Sequence, residues 1–154
     1  MTPVDTKISP NFNWGELTRT GQSSLQEVNR AEAEKVKAAI TALANELLEP
    51  IRAEFGPIRI NSCFRGPAVN QAVGGSKSSQ HMVGEAADIF PLGKGITLEQ
   101  VFEWIKKSPL KYGQVILECP SPTSRWIHVS LGEPWRKTRN RESLYFDGKS
   151  YTPR

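Results

Sequence analysis

Between Gln26 and Phe55 apolar residues recur at steps of three and four. Val36, Ile40, Leu43, Leu47, Ile51 and Phe55 make one stripe, while Glu32, Glu34, Lys35, Lys37, Glu46 and Glu49 take the other faces. That period predicts an amphipathic helix with a solvated charged face, and a kink or a second helix starting at Pro50. Gly56-Pro57 ends the helix, and Pro57–Ser62 alternates like a short strand. Ala86–Phe90, Tyr112–Glu118 and Trp126–Leu131 read as three more strands. Thr97, with Gln100 three residues on, has the form of a capping box, and Val101, Trp104 and Ile105 supply the apolar face of a helix to about Lys107.

The connections are less regular. Residues 64–80 hold Gly66, Pro67, Gly74, Gly75 and the serines Ser76, Ser78 and Ser79, which reads as a long ordered or functional loop. The Gly74-Gly75 pair lacks the lysine and the strand-to-helix setting of a phosphate loop. Cys119–Arg125 reads as a hairpin loop, and residues 1–26 as a polar arm held down by Phe12, Trp14 and Leu17. The order helix, strand, strand, helix, strand, strand implies one α+β domain whose central, mainly antiparallel sheet is flanked by helices. Its core spans about residues 10–132, with 133–154 as a basic C-terminal extension.

Composition narrows the chemistry. The 154 residues suit a single domain, and the balance of 20 Lys plus Arg against 16 Asp plus Glu, net +4, suits an anionic polymer without requiring one. The chain has only two histidines and two cysteines, without the tight spacing that a four-ligand Cys/His finger needs, so such a finger is all but excluded and any metal site must recruit carboxylates. Cys63 and Cys119 read as reduced, buried thiols; a single disulfide is the alternative if the strand ends meet. The N-terminus lacks a basic segment followed by an apolar one, and no apolar run approaches the ~18–20 residues of a membrane span, so the expectation is a soluble product without an export signal. Trp135, Arg136, Lys137, Arg139, Arg141 and Tyr145 could touch phosphates or wall polymer, but the stretch reads more simply as a solvated tail.

The densest feature is Ser79-Gln-His81-Met-Val-Gly84-Glu-Ala86-Ala-Asp88, followed forty residues on by Trp126-Ile-His128-Val-Ser130. Taken singly, each histidine reads as an ordinary hydrogen-bonding side chain and Asp88 as a cap or ion-pair partner. Taken together, strands that lie side by side would bring N, O and N donors to one ion. Three protein ligands leave a fourth tetrahedral position for water, which is the make-up of a catalytic rather than a structural zinc site. Water held there has its pKa lowered toward ~7. Gly84 would permit the tight turn between the first two donors.

Ser79, His81, Gly84, Ala86 and Asp88 match S-x-H-x-x-G-x-A-x-D, and Trp126-Ile-His128 matches the W-x-H that follows it. Over roughly residues 10–132 the chain resembles the zinc D-alanyl-D-alanine carboxypeptidase family, whose fold is shared with the Hedgehog signalling domain. Ile60-Asn-Ser62-Cys-Phe-Arg65, Val69-Asn70, Val73-Gly-Gly75-Ser76, Phe12–Leu17 and Leu48-Glu-Pro-Ile51 resemble its small phage and prophage branch. The resemblance implies a zinc metallopeptidase with a Hedgehog/DD-peptidase-like fold and one Zn2+ on His81, Asp88 and His128. It implies Ser79 as a supporting or substrate-binding group and Arg65 as the arginine facing the scissile carbonyl, both catalytic and substrate-binding.

One position departs from the pattern. Many members carry an acidic general base three residues before the last histidine, where this chain has Arg125, and a cation cannot accept a proton from water. Gln114-Val-Ile-Leu-Glu118 resembles a Gln-x-Ile-x-Glu pattern of the phage branch, which makes Glu118 the expected base; Glu85 and Glu133 are weaker candidates. The first expectation is therefore a peptidase acting on peptidoglycan stem peptides, as a D,D-carboxypeptidase or an endolysin-like endopeptidase. It would sit in a phage virion or the host cytoplasm before release to the wall. The second is a weakly active or non-catalytic zinc-containing virion or wall-binding module with other phage proteins as partners, since one fold serves many functions. Neither nucleic-acid binding nor membrane insertion is expected.

Overall fold

The structure is a computed structural model that describes residues 1–136 and 140–154; Lys137 and Arg139 of the basic run lie outside the described residues. The chain opens with a two-stranded antiparallel ladder, β1 (Lys7–Ser9) and β2 (Phe12–Asn13), and turns into α1 (Trp14–Leu17). Asn13 caps α1 reciprocally with Glu16. Phe12, Trp14 and Leu17 are buried in the core and hold this arm down, as their apolar character predicts.

The long amphipathic segment is helical nearly throughout but not uniform. α2 (Gln26–Ala33) passes through a 3-10 turn, Glu34–Val36, into α3 (Lys37–Leu43), then through a wide π-type turn, Ala44–Leu48, into α4 (Glu49–Phe55). Pro50 is the second residue of α4. Proline has no N–H to return to the carbonyl four residues back, so a helix restart directly after a wide turn accommodates it. Ile40, Leu43, Leu47 and Ile51 are fully buried, with Val36 and Phe55 packed at the margins of the same core.

The six-stranded sheet has the order β3-β4-β6-β5-β7-β8, formed by β3 (Ile58–Ser62), β4 (Ala86–Pro91), β5 (Tyr112–Ser121), β6 (Ser124–Leu131), β7 (Glu142–Phe146) and β8 (Tyr151–Pro153). All neighbours are antiparallel except β5 and β7, which run parallel. This is the expected α+β architecture, and α6 (Leu98–Lys107) begins at the predicted Thr97–Gln100 capping box. Two readings need correction. The Gly-rich connection contains a short helix, α5 (Pro67–Ala72), because Gly66 caps and Pro67 starts a run of helix-compatible residues. Residues 141–153 are no solvated tail: β7 and β8 extend the main sheet, and Arg141 donates to the backbone carbonyls of Lys106, Ser108 and Leu110 while stacking on Tyr112.

Strand alternation divides the sheet into two faces. Ala87, Ile89, Val115, Leu117, Ile127 and Val129 belong to the core. The residues between them, Asp88, Gln114, Ile116, Glu118 and His128 among them, line a cleft of about 800 Å³ on the other side. Both cysteines are free thiols, Cys63 buried and Cys119 half-buried. Among the described residues no helix is long and apolar enough to cross a membrane.

Candidate metal centre

Asp88 of β4 and His128 of β6 are direct cross-strand partners, so backbone register alone sets their side chains together on the cleft face. His81 comes from the 3-10 turn Gln80–Val83 that leads into β4. Ser79 caps that turn, its Oγ accepting from the His81 backbone N–H at 3.2 Å. Gly84 ends it in a left-handed conformation (φ +73°), and a Cβ there would come within 2.8 Å of Ile40 Cγ1. The glycine thus serves both the turn and its close seat on the helical layer.

Two hydrogen bonds orient the imidazoles. His81 Nδ1 lies 2.7 Å from the Cys63 carbonyl oxygen, which can only accept, so the proton sits on Nδ1 and the bare Nε2 faces inward. His128 Nε2 lies 2.9 Å from Gln80 Oε1, and the Gln80 amide nitrogen donates to Ser130 Oγ at 3.0 Å. That pairing fixes the glutamine, puts the His128 proton on Nε2 and turns the bare Nδ1 inward. Both inward nitrogens meet one oxygen, Asp88 Oδ1, at 3.4 Å from His81 and 3.1 Å from His128. Burial opposes ionisation of Asp88; once the imidazoles take up extra protons, their charge and their inward N–H groups outweigh burial and hold the carboxyl well below the usual carboxylate range.

Three lone-pair acceptors therefore converge with no donor among them, an arrangement that repels itself unless a cation or extra protons enter. Ligands at 2.0–2.1 Å around a tetrahedral zinc stand about 3.3 Å from one another, close to both measured separations. All three donor atoms lie within 4.8 Å of one another. The N, O, N set is borderline-soft and suits zinc better than calcium or magnesium, which prefer all-oxygen shells. These residues fit the ion that the sequence implied. Cys63 adds no ligand: burial, reinforced by Asp88, pushes its thiol up to about 12 and keeps it neutral.

The other residues named from sequence are distributed as follows. Arg65 follows β3 and lines the same cleft; its backbone N–H donates to the His81 carbonyl, and its buried Nε has no partner. Ser79 also lines the cleft. Glu118 lies on β5 opposite Trp126, buried to 8% exposure, with its side chain in the cleft. Burial and then the charge of Asp88 raise its pKa, while His128 and the nearby Tyr151 hydroxyl pull the other way. Arg125 is three positions from His128 and so on the opposite face of β6, where it pairs with Glu99 at 2.5 Å and donates to Cys119 Sγ. Glu85 is engaged by Arg136 at 3.0 Å, and Glu133 is exposed.

Sequence reasoning missed Gln80, Ser130, Arg136 and Tyr151. Gln80 and Ser130 each sit next to a motif position, and the period-2 alternation from His128 to Ser130 was an available signal. Arg136 and Tyr151 reach the cleft only through the path of the C-terminal segment, for which no local pattern speaks.

The family model for Peptidase M15 matches residues 10–130. A stretch of the chain is 42% identical over 74 residues to the zinc D-Ala-D-Ala carboxypeptidase of Streptomyces albus G, covering 41% of this chain and 29% of that protein. The chain thus aligns with under a third of the relative's length. The fold, a mixed sheet with flanking helices, is Hedgehog/DD-peptidase-like. Because the matched span takes in β3, β4, β5 and β6 together with the turn bearing His81, and so the whole acceptor triad, the chain belongs to the Peptidase M15 family.

Proposed function

We propose that the chain is a zinc-dependent peptidase hydrolysing peptidoglycan stem peptides, as a D,D-carboxypeptidase or an endopeptidase with an endolysin-like role. The observation that carries this reading is the meeting, in one cleft, of the acceptor triad, a buried carboxylate and a half-buried arginine whose Nε is shut off from water. His81, Asp88 and His128 would hold the ion, which when bound supplies a Lewis acid and an activated water. Glu118 accepts the proton of the attacking water; a carboxylate whose proton affinity is raised by burial is suited to that task at neutral pH. Arg65, with its Nε–H buried and unpartnered, donates toward the oxygen of the scissile carbonyl as negative charge develops there. Ser79 holds the His81 turn at the mouth of the cleft and offers a hydroxyl to the peptide.

The substrate class is supported by the name of the Streptomyces relative. The phage setting, in a virion or in the host cytoplasm before release, is supported by the resemblance of Ile60–Arg65 and Val73–Ser76 to the phage and prophage branch. The test is digestion of purified peptidoglycan and of a D-Ala-D-Ala peptide, with one equivalent of zinc and with chelator, with products identified by mass spectrometry. A chelator-sensitive product is expected, and Glu118→Gln should lose about 10²- to 10⁴-fold in rate while retaining zinc. No chelator-sensitive product at stoichiometric zinc overturns the proposal.

A further inference from the structure

The C-terminal hairpin brings an aromatic hydroxyl to the carboxylate that the preceding reading makes the base. Glu118 pairs with Phe146 in the β5–β7 ladder, and Phe146 pairs with Tyr151 in the β7–β8 ladder. With Trp126 opposite Glu118 on β6, these four residues form one row across the sheet. Tyr151 and Phe146 stack at 4.5 Å between ring centroids with an interplanar angle of 28°, which sets the direction of the phenol. The Tyr151 hydroxyl comes near enough to the Glu118 carboxylate to interact with it, and both side chains line the cleft. Just beyond Glu118 the β5–β6 register shifts, so Glu118 is the last residue of β5 in regular pairing before the irregularity.

We propose that Tyr151 is a positioning residue for Glu118: its hydroxyl ties down one direction on the carboxylate and leaves the remaining lone pairs for the proton taken from water. The inference rests on the peptidase reading and on Glu118 as its base. It gives residues 142–153, outside the span matched by the family model, a part in the site. A hydrogen bond to a charged group that is partly open to solvent carries an effect of about tenfold, and Tyr151 is 52% exposed.

The test is a double-mutant cycle of Tyr151→Phe and Glu118→Gln in the full, zinc-loaded chain, measured on the peptide substrate. Tyr151→Phe keeps the ring and its stack and removes only the oxygen. Expected is a drop in kcat of about tenfold with KM and zinc content unchanged, and no further loss when the change is added to Glu118→Gln. A second readout needs no activity: in metal-free protein, the 13C resonance of the Glu118 carboxyl, assigned by its absence in Glu118→Gln, should move in Tyr151→Phe. Parent-like kcat in Tyr151→Phe, an equal loss in the Glu118→Gln background, a change confined to KM, or an unmoved resonance overturns the inference alone. A parent-like Glu118→Gln enzyme removes the base assignment beneath it, which separates the two failures.

Discussion

Replacing Gln80 with leucine removes the acceptor that holds the His128 proton on Nε2 while keeping a side chain of similar size. In the parent, Gln80 Oε1 accepts from His128 Nε2 at 2.9 Å and the amide donates to Ser130 Oγ at 3.0 Å, all three residues being buried. Leucine leaves the imidazole N–H without a partner in a dry site, a penalty of about 1–3 kcal/mol. The metal-free protein can escape it by moving the proton to Nδ1, where Asp88 Oδ1 waits at 3.1 Å. The metal-bound form cannot, because Nδ1 is then a ligand. The cost therefore falls on binding, and zinc affinity should drop about 10- to 100-fold, the range seen when a group supporting a ligand histidine is removed. Gln80→Glu, which keeps an acceptor at the same place, should hold affinity within a few-fold of the parent. The assay is competition with a chromophoric zinc chelator at fixed pH, alongside thermal unfolding to establish that each variant is folded. A folded Gln80→Leu protein binding zinc within twofold of the parent would refute the tautomer argument.

Two further outcomes follow from the same coordinates. His81→Ala or His128→Ala should abolish tight zinc binding in the same competition assay, because the chain has only two histidines and neither can be replaced by another. Glu49 anchors the N-terminal ladder by accepting from Ser9 Oγ, Asn11 N and Asn11 Nδ2. Burial opposes its ionisation, but these bonds prevail and lower its pKa below the ordinary 4.5, so they add stability above that value and lose it as pH falls through the lowered folded-state pKa. The melting temperature of the parent should therefore fall more steeply on acidification than that of Glu49→Gln; parallel curves would contradict this.

What could be read from the chain was local. The Thr97–Gln100 capping box needs four residues to declare itself, and the stripe from Ile40 to Ile51 needs three turns. The candidate triad was legible for a different reason: its motif spacing encodes a strand pairing, and Asp88 opposite His128 is that pairing realised. The parallel β5–β7 ladder has no such signature. It joins Gln114–Glu118 to Glu142–Phe146, and a short, half-buried, polar-flanked run such as Glu142–Phe146 reads as tail until its partner is known. Helix α5 was hidden by the glycines on either side, which weigh toward loop although only Gly66 sets its boundary. Gln80 was passed over because its role lies in orienting another side chain, and residue type alone does not express that.

Strand parity places Arg125, which stands where an acid was expected. In a strand, residues an odd number of positions apart point to opposite faces. His128 faces the cleft, so within β6 Arg125 faces away, and Glu99 on α6 together with Cys119 gives its guanidinium partners there. Glu118 lies opposite Trp126, two residues from His128 and on the same face, and the β5–β6 ladder holds it there. The identity of residue 125 therefore bears on how β6 docks against α6, and under the proposed function proton transfer would fall to Glu118 on the neighbouring strand, whose carboxylate alternation turns toward the cleft.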